Sequence, residues 1–356
     1  MTSSHTLPER VDVPRLSGVA ARRRQTGLTL VELMVALALG LLVAAASVAA
    51  LIIARQGFTS VDNAAQLREN ARFAASIIQR IGIQAGFENR AGGNFTDWKI
   101  FCAPGSPACG IAGDMNPGIR GYDNAYVQDV TALPGGLAHD DRTTKCTATD
   151  TSCAANKSDV LLVRYWGDGR LGGASGDGSM INCAGMAERE GAAPAYSIFH
   201  VARSSSGEPT LACSYRDPTS GTWTTVPLVQ GVETMQLLYG VDNVTPGTAP
   251  PAADTGTDSV ADRFLRAAQL DVAGNATATA DNWRRVRSVR VGLVIRGAAG
   301  SAVDRAATAQ TINVLGPDFV NTADALTVTA DGRLRQNLVF TVHMRNPQFV
   351  IPTTVN

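Results

Sequence analysis

Neither sign of charge is in excess in this chain: 31 basic residues stand against 31 acidic ones, and the net charge is zero. Proteins that hold nucleic acid or anionic lipid gather Lys and Arg to neutralise phosphates, so composition makes no case for a nucleic-acid partner. The four histidines, His5, His139, His200 and His343, are scattered. There is no His-Glu-x-x-His pair, no Gly-x-Ser-x-Gly elbow and no Cys-x-x-Cys spacing. The usual signatures of a zinc protease, a serine hydrolase and a thiolate metal site are therefore lacking. Proline is absent between Pro14 and Pro104, so no proline interrupts a helix there. Aromatics make up only 6% of the chain.

What is present is concentrated near the N-terminus. Arg22-Arg23-Arg24 precede Gly27, and Gly27 opens onto an apolar run from Leu28 to Ala54 whose only ionisable side chain is Glu32. A carboxylate in a membrane-length segment costs roughly 2.5 kcal/mol or more near the helix centre and less near an end, so it points to function. Leu33 to Ala54 is 22 uncharged residues, and as a helix that is about 33 Å, enough to span a bilayer. Arg10, Arg15 and Arg22 to Arg24 outweigh Glu9 and Asp12 on the N-terminal side. The positive-inside tendency keeps that side cytoplasmic and sends the residues after Arg55 across the membrane. The run is too long for a cleaved secretory signal and lacks a small-x-small site at a suitable end.

The string Gly27-Leu-Thr-Leu-Val-Glu-Leu33 resembles the N-terminus of type IV prepilins and the related pseudopilins. The resemblance implies peptidase cleavage between Gly27 and Leu28 and N-methylation of Leu28. It also implies contact between Glu32 and the Leu28 amine of a neighbouring subunit. Opposite charges attract strongly at low dielectric and each is penalised alone, so docking relieves both. The family's first mature residue is usually Phe, whereas here it is Leu28.

Arg55 to Ala85 reads as an amphipathic continuation of the same helix. Leu67, Ala71, Ala74, Ile78, Ile81 and Ala85 recur at alternating four- and three-residue steps, one helix face, and Gly86 is the expected stop. Downstream the pattern is β-like. Strands are expected over 159–166, 196–203, 211–215, 232–241, 286–296 and 338–344, with a hairpin around Ser206-Gly207 and a long loop over 245–256. The resulting expectation is α+β. A long N-terminal helix, half membrane and half amphipathic, packs on a C-terminal antiparallel β-sheet domain, which is the pilin architecture the resemblance implies. The segmentation is a leader over 1–27, an assembly helix over 28–54, an amphipathic helix over 55–86 and a β-rich periplasmic domain over 87–356.

Six cysteines, Cys102, Cys109, Cys146, Cys153, Cys183 and Cys213, are an even count in an exported domain, which argues for disulfides. The simplest pairing is 102–109, 146–153 and 183–213, although six cysteines allow fifteen pairings. Residues 93–157 hold four of them, show no clear periodicity and read as a disulfide-pinned, loop-rich insertion.

Several other patterns carry less. Gly167-Asp-Gly-Arg-Leu-Gly172 fits a dinucleotide fingerprint, but Gly173 to Ser179 is poor helix material and a turn is the better reading. His139-Asp140-Asp141 reads as a solvated loop, His200 and His343 as sheet residues. Asp254, Asp258 and Asp262 are spaced by four, wider than calcium loops use. No cofactor, metal or catalytic residue is assigned.

The segments 228–242, 286–296 and 337–347 look like parts of PilW-type pilus assembly proteins. That resemblance implies a minor pilin of the type IV pilus, not an enzyme, in the inner membrane as a single-pass protein and at the pilus tip after assembly. The implied partners are other minor pilins, the major pilin, the prepilin peptidase, the inner-membrane platform, a tip adhesin and membrane lipid. A type II secretion pseudopilin shares the N-terminal physics. A signal-anchored periplasmic binding or adhesion protein would share the anchor without polymerising.

Overall fold

The computed structural model describes residues 27–87, 117–146, 156–168, 176–189, 194–251, 258–302, 309–319, 324–328 and 330–346. The chain divides into two compact units, residues 1–55 and 56–356.

Helix α1 runs unbroken from Leu30 to Gly82, 53 residues rich in Ala and Leu, both strong helix formers. In the first unit its side chains are exposed on every side, among them Leu30, Leu37, Leu41 and Ile53. A soluble protein does not leave that much contiguous apolar surface in water. By length and composition this helix can cross a membrane. In the second unit Leu67, Ala71, Ala74, Ile78 and Ile81 are buried, as is Ala85 beyond the helix end, which is the face the spacing marks out. The helix stops at Gly82, before the expected Gly86, and 83–86 form a turn. Gly86, at φ 70°, lets its N–H donate to the Arg164 carbonyl at 2.9 Å and closes that turn.

A five-stranded antiparallel sheet has the order β1-β2-β3-β4-β5: Ile119–Tyr122, Val160–Tyr165, Ala195–Arg203, Pro209–Arg216 and Trp223–Gln230. A four-stranded antiparallel sheet has the order β11-β8-β6-β7: Arg335–His343, Val286–Arg296, Val232–Val241 and Arg263–Leu265. Strands β9 (Gln310–Ile312) and β10 (Leu326–Val328) pair with each other. Short helices α2 (Arg142–Lys145), α3 (Ala267–Leu270) and α4 (Ala276–Arg284) and two 3-10 turns, Val130–Ala132 and Pro317–Phe319, complete the described elements. The class is α+β, a long N-terminal helix followed by antiparallel sheets, as expected.

The main core joins the buried stripe of α1 to one face of each sheet: Leu161, Val163 and Phe199 from the first, Met235, Leu237, Val291 and Leu293 from the second. Strand β2 is buried at all six positions because both its faces are covered. Leu161, Val163 and Tyr165 point into the main core, while Val160 and Leu162 join Tyr122, Ala125, Leu133, Tyr196 and Ile198 on the far side. Strand β8 is covered on its second face only in part. Val289, Val291, Leu293 and Ile295 face the main core as the alternation indicates, and Val294 packs under Val314, Leu326 and Val328. A continuous apolar run is what a strand covered on both faces needs.

The expected strands are all present, with ends shifted: β4 begins at Pro209, β11 at Arg335. The region read as an irregular insertion does more than that. Its described part, 117–146, is mostly irregular but supplies edge strand β1 and the layer that covers the outer face of β2 and β3. Strands β5, β7, β9 and β10 and helix α4 were not foreseen. Strand β5 is rich in the strand formers Trp223, Thr224, Thr225, Val226 and Val229, but it is half exposed and Pro227 interrupts the run, which masks the signal.

Cys183 and Cys213 form a disulfide, Cα–Cα 6.2 Å, tying the 176–189 segment to β4. The same segment is held by Gln84, which accepts from the Ile181 N–H at 2.9 Å and donates to its carbonyl at 3.1 Å. Cys146 is disulfide-bonded; Cys102, Cys109 and Cys153 lie outside the described residues, so the 102–109 and 146–153 pairings do as well.

Candidate functional site

Gly27, Leu28 and Thr29 precede the helix in non-helical, exposed backbone, and a Cβ built on Gly27 would have nothing within 4 Å. Thr29 is the N-cap of α1. Its hydroxyl accepts from the Glu32 N–H at 3.2 Å, and the Glu32 carboxylate accepts from the Thr29 N–H at 3.5 Å. This reciprocal pair is a capping box, and it satisfies two of the amide donors that every helix start leaves open. Sequence reasoning singled out Glu32 but missed Thr29 as its partner, although Thr-x-x-Glu ahead of an apolar run is the signal for it. The carboxylate also lies at the positive end of the helix dipole. Glu32 thus has a local role in the chain itself, closing the first turn of α1.

Elsewhere the histidines and aspartates noted in the sequence fasten elements together. His139 lies in the 117–146 layer, and its Nδ1 accepts from the Asp123 N–H at 3.0 Å, so Nε2 carries the proton it shares with Asp271 at 3.1 Å. Burial pulls the His139 pKa down, but the Asp271 hydrogen bond and the Asp123 charge outweigh it and the net shift is upward. Protonation nevertheless costs the bond from the Asp123 amide, because both ring nitrogens would then be donors. His139 is therefore a bridge between elements rather than the solvated loop residue expected from sequence. Asp123 accepts from the Ala267 and Ala268 N–H groups at the start of α3, and Asp159 accepts from those of Asn124 and Leu237. Asp159 thus fastens the first sheet to β6 of the second, and Asp123 fastens the end of β1 to helix α3, both through main-chain donors. Burial, with the Asp123 charge, pushes Asp159 up to about 7.

His200 Nε2 lies 3.0 Å from Ser214 Oγ, which in turn lies 2.7 Å from Thr225 Oγ1. The pair resembles a nucleophile and its base, but three facts oppose that use. Both side chains are buried, His200 Nδ1 has no partner to orient the ring, and burial drops the His200 pKa to about 3. Asp258 and Asp262 each accept a neighbouring backbone N–H, Val260 and Asn243 respectively, and Asp254 lies outside the described residues. Among the described residues no three His, Cys, Asp or Glu side chains gather to hold a metal. Gly167 sits where a Cβ would meet the Arg189 carbonyl oxygen at 2.1 Å, so close backbone approach accounts for that glycine of the dinucleotide-like pattern.

A single apolar helix with a capped acidic first turn, continuous with an amphipathic half and followed by antiparallel sheets, is the arrangement expected from the resemblance to prepilin-type subunits. Residues 22–48 match the prokaryotic N-terminal methylation motif, and residues 198–346 match the family described as Type IV Pilus-assembly protein W. The second stretch runs from within β3 through β11 and takes in nearly all of the three later segments that resemble PilW. Among solved structures, a type IV-like pilin from Thermus thermophilus is similar at 12% identity and a TM-score of 0.36, over 80% of this chain and 98% of that one. No curated protein sequence matches the chain.

Proposed function

We propose that this chain is a minor pilin of a type IV pilus that helps prime fibre assembly and resides at the pilus tip. It is inserted in the inner membrane with residues after Arg55 on the periplasmic side and is cleaved between Gly27 and Leu28. The new Leu28 amine is N-methylated, and Glu32 meets the corresponding amine of a neighbouring subunit. Its partners are other minor pilins, the major pilin, the prepilin peptidase, the assembly platform and a tip adhesin. The observation that carries this reading is the joint occurrence, on one chain, of the methylation motif at 22–48 and the PilW match at 198–346. The second match also favours a pilus over a type II secretion pseudopilin. The large soluble part supports a tip position, since a cap has room that a repeating subunit of a thin fibre lacks.

The test is the N-terminal mass of the protein from membranes, with and without an active prepilin peptidase. A peptidase-dependent start at Leu28 is expected. An intact leader in both strains makes the protein a signal-anchored periplasmic one. In the same strains Glu32→Ala leaves membrane insertion intact and lowers fibre number; undiminished piliation removes the assembly role of Glu32.

A further inference from the structure

His139 Nδ1 faces two groups of one residue. The Asp123 N–H donates to it at 3.0 Å, and the Asp123 carboxylate oxygen Oδ2 lies 3.7 Å from it. The first needs a bare nitrogen and the second a protonated one, so a single proton decides which of the two Nδ1 can bind. Nε2 makes no such choice. It lies 3.1 Å from Asp271 Oδ2 and donates there in either state.

The competition reaches the neighbouring helix. Asp123 Oδ2 accepts from the Ala268 N–H at 2.8 Å, and Oδ1 accepts from the Ala267 N–H at 3.1 Å. Shortening the 3.7 Å separation to a charge-assisted hydrogen bond takes about 1 Å of movement. That movement draws Oδ2 away from α3 and toward the imidazole.

The charges around the ring favour its protonated form. Burial opposes it, and the Asp271 hydrogen bond and the Asp123 charge outweigh burial. Arg120 on β1, 3.9 Å from Asp271 Oδ2, opposes it as well, while Tyr122 packs on the ring with centroids 5.6 Å apart. The other charged groups nearby are engaged elsewhere. On the ring's own segment Asp140 accepts from Asn124 Nδ2 at 3.2 Å, Asp141 pairs with Lys145 at 2.7 Å, and Arg142 donates to the Ala125 carbonyl. Asp159 takes the Asn124 and Leu237 amides, and Arg266 at the start of α3 pairs with Asp324. From α4, Arg284 pairs with Asp281, and Trp283 Nε1 donates to Asp271 Oδ1 at 3.2 Å, which holds that carboxylate in place.

We infer that His139 is a proton-operated switch in the tie between the 117–146 layer and the α3–α4 region. With a neutral ring the tie is the Asp123 carboxylate on the α3 amides. With a protonated ring Nδ1 releases the Asp123 amide and shares the Asp123 carboxylate, and the tie passes to the His139–Asp271 ion pair. The switch lies wholly within the soluble unit and does not depend on the assembly reading.

The experiment uses the full-length protein in detergent with isotope-labelled histidine rings, read by NMR from about pH 8 to about pH 5, on either side of the ordinary histidine value. The neutral ring of His139 is expected as the Nε2–H tautomer. Across its transition the amide protection of Asp123 and Ala268, corrected for intrinsic exchange, falls in acid by about tenfold. The amides of β8 do not follow, which separates a local switch from general loosening. His139→Gln, which also assigns the ring signal, keeps an acceptor for the Asp123 amide and a donor for Asp271 at every pH, and it removes the response at Asp123. Asp271→Asn moves the ring's transition to lower pH. A neutral ring with the proton on Nδ1, Asp123 protection that ignores the ring's transition, the same response in His139→Gln, or a transition indifferent to Asp271→Asn overturns the switch. The tautomer and the amide protection are read on the unaltered chain, so they decide the matter even where a variant fails to fold.

Discussion

Between Leu30 and Ala54 helix α1 carries Leu, Ala and Val on all sides, with Glu32 as its only charge; between Arg55 and Gly82 it carries Arg55, Asp62, Arg68, Glu69, Arg72 and Arg80 and buries a single stripe. One half is suited to a medium that is apolar in every direction, the other to a core on one side and water on the rest. The apolar half needs no packing partner to define its helix, because unpaired backbone groups are too costly in lipid. The amphipathic half draws its helical stability from the core it covers, since propensity alone holds an isolated helix only weakly in water.

That difference can be broken deliberately. Ile78 is fully buried, and Ile78→Ala removes its side chain from the main core. The expected loss is about 3 kcal/mol or more, seen as a lower urea midpoint of the detergent-solubilised full chain. Val43→Ala, in the apolar half, leaves that midpoint unchanged. Equal shifts for the two would mean that the halves do not draw on different sources of stability.

Next in size is the disulfide. Cys183 and Cys213 are 30 residues apart, and closing a loop of that length constrains the unfolded chain by about 3–4 kcal/mol. Reduction, or Cys213→Ser, is expected to destabilise the soluble unit by up to that amount and to expose the 176–189 segment to protease, with the apolar half of α1 indifferent. A proteolysis pattern identical with and without reductant would show that Gln84 and Tyr165, both bonded to Ile181, suffice to hold the segment.

A pH scan sharpens the comparison further, since the soluble unit holds buried acids. Burial pushes both Asp159 and Glu188 up to about 7, so the folded chain keeps protons that the unfolded chain has already released. Stability therefore falls as pH rises from about 4 to about 7, by up to about 1.4 kcal/mol per pH unit for each such group. His139, with its net upward shift, pulls the same way, its contribution being lost as pH rises through its folded value. Glu208 and Asp271 have lowered values, for although burial raises each, their cationic partners win, and they destabilise the fold only in stronger acid. Greatest thermal stability is thus expected at mildly acidic pH. Glu188→Gln keeps an acceptor for Asn182 and should flatten the slope by about one group's share. An unchanged slope would show that Glu188 is not among the groups responsible.

The smallest effect belongs to the cap. Thr29→Ala removes the hydroxyl that accepts from Glu32 and should cost about 1 kcal/mol at the start of α1. Faster amide exchange at Glu32 and Leu33, with the soluble unit unaltered, is the expected result; unaltered exchange there would mean that the box does not hold the first turn.

Much of this fold was legible because it obeys one period at a time. The stripe from Leu67 to Ile81 and the alternation of Val289, Val291, Leu293 and Ile295 need only a helix or a strand with one dry face, and both stand where the spacing put them. What escaped is held by neighbours. Strand β1 is four residues with a glycine inside, and it exists because β2 offers it a ladder. Helix α4 has a visible cap, Asn275 accepting from the Ala278 N–H at 2.9 Å, but is only nine residues long.

The candidate site divides in the same manner. Glu32 stands out by being a charge alone in an apolar run, a contrast visible in the chain itself. The His139 switch brings Asp123 and His139 together with Asp271, residues far apart in sequence. No pattern along the chain couples such distant positions. By itself the sequence determined the membrane-length helix, the motif around Gly27 and Glu32, and the stronger strands, because each follows from local periodicity and the cost of burying charge. Only the tertiary structure decided that β2 would be covered on both faces and that Asp159 would fasten one sheet to the other. Those outcomes depend on contacts between elements, and the chain acquires such contacts only when it folds.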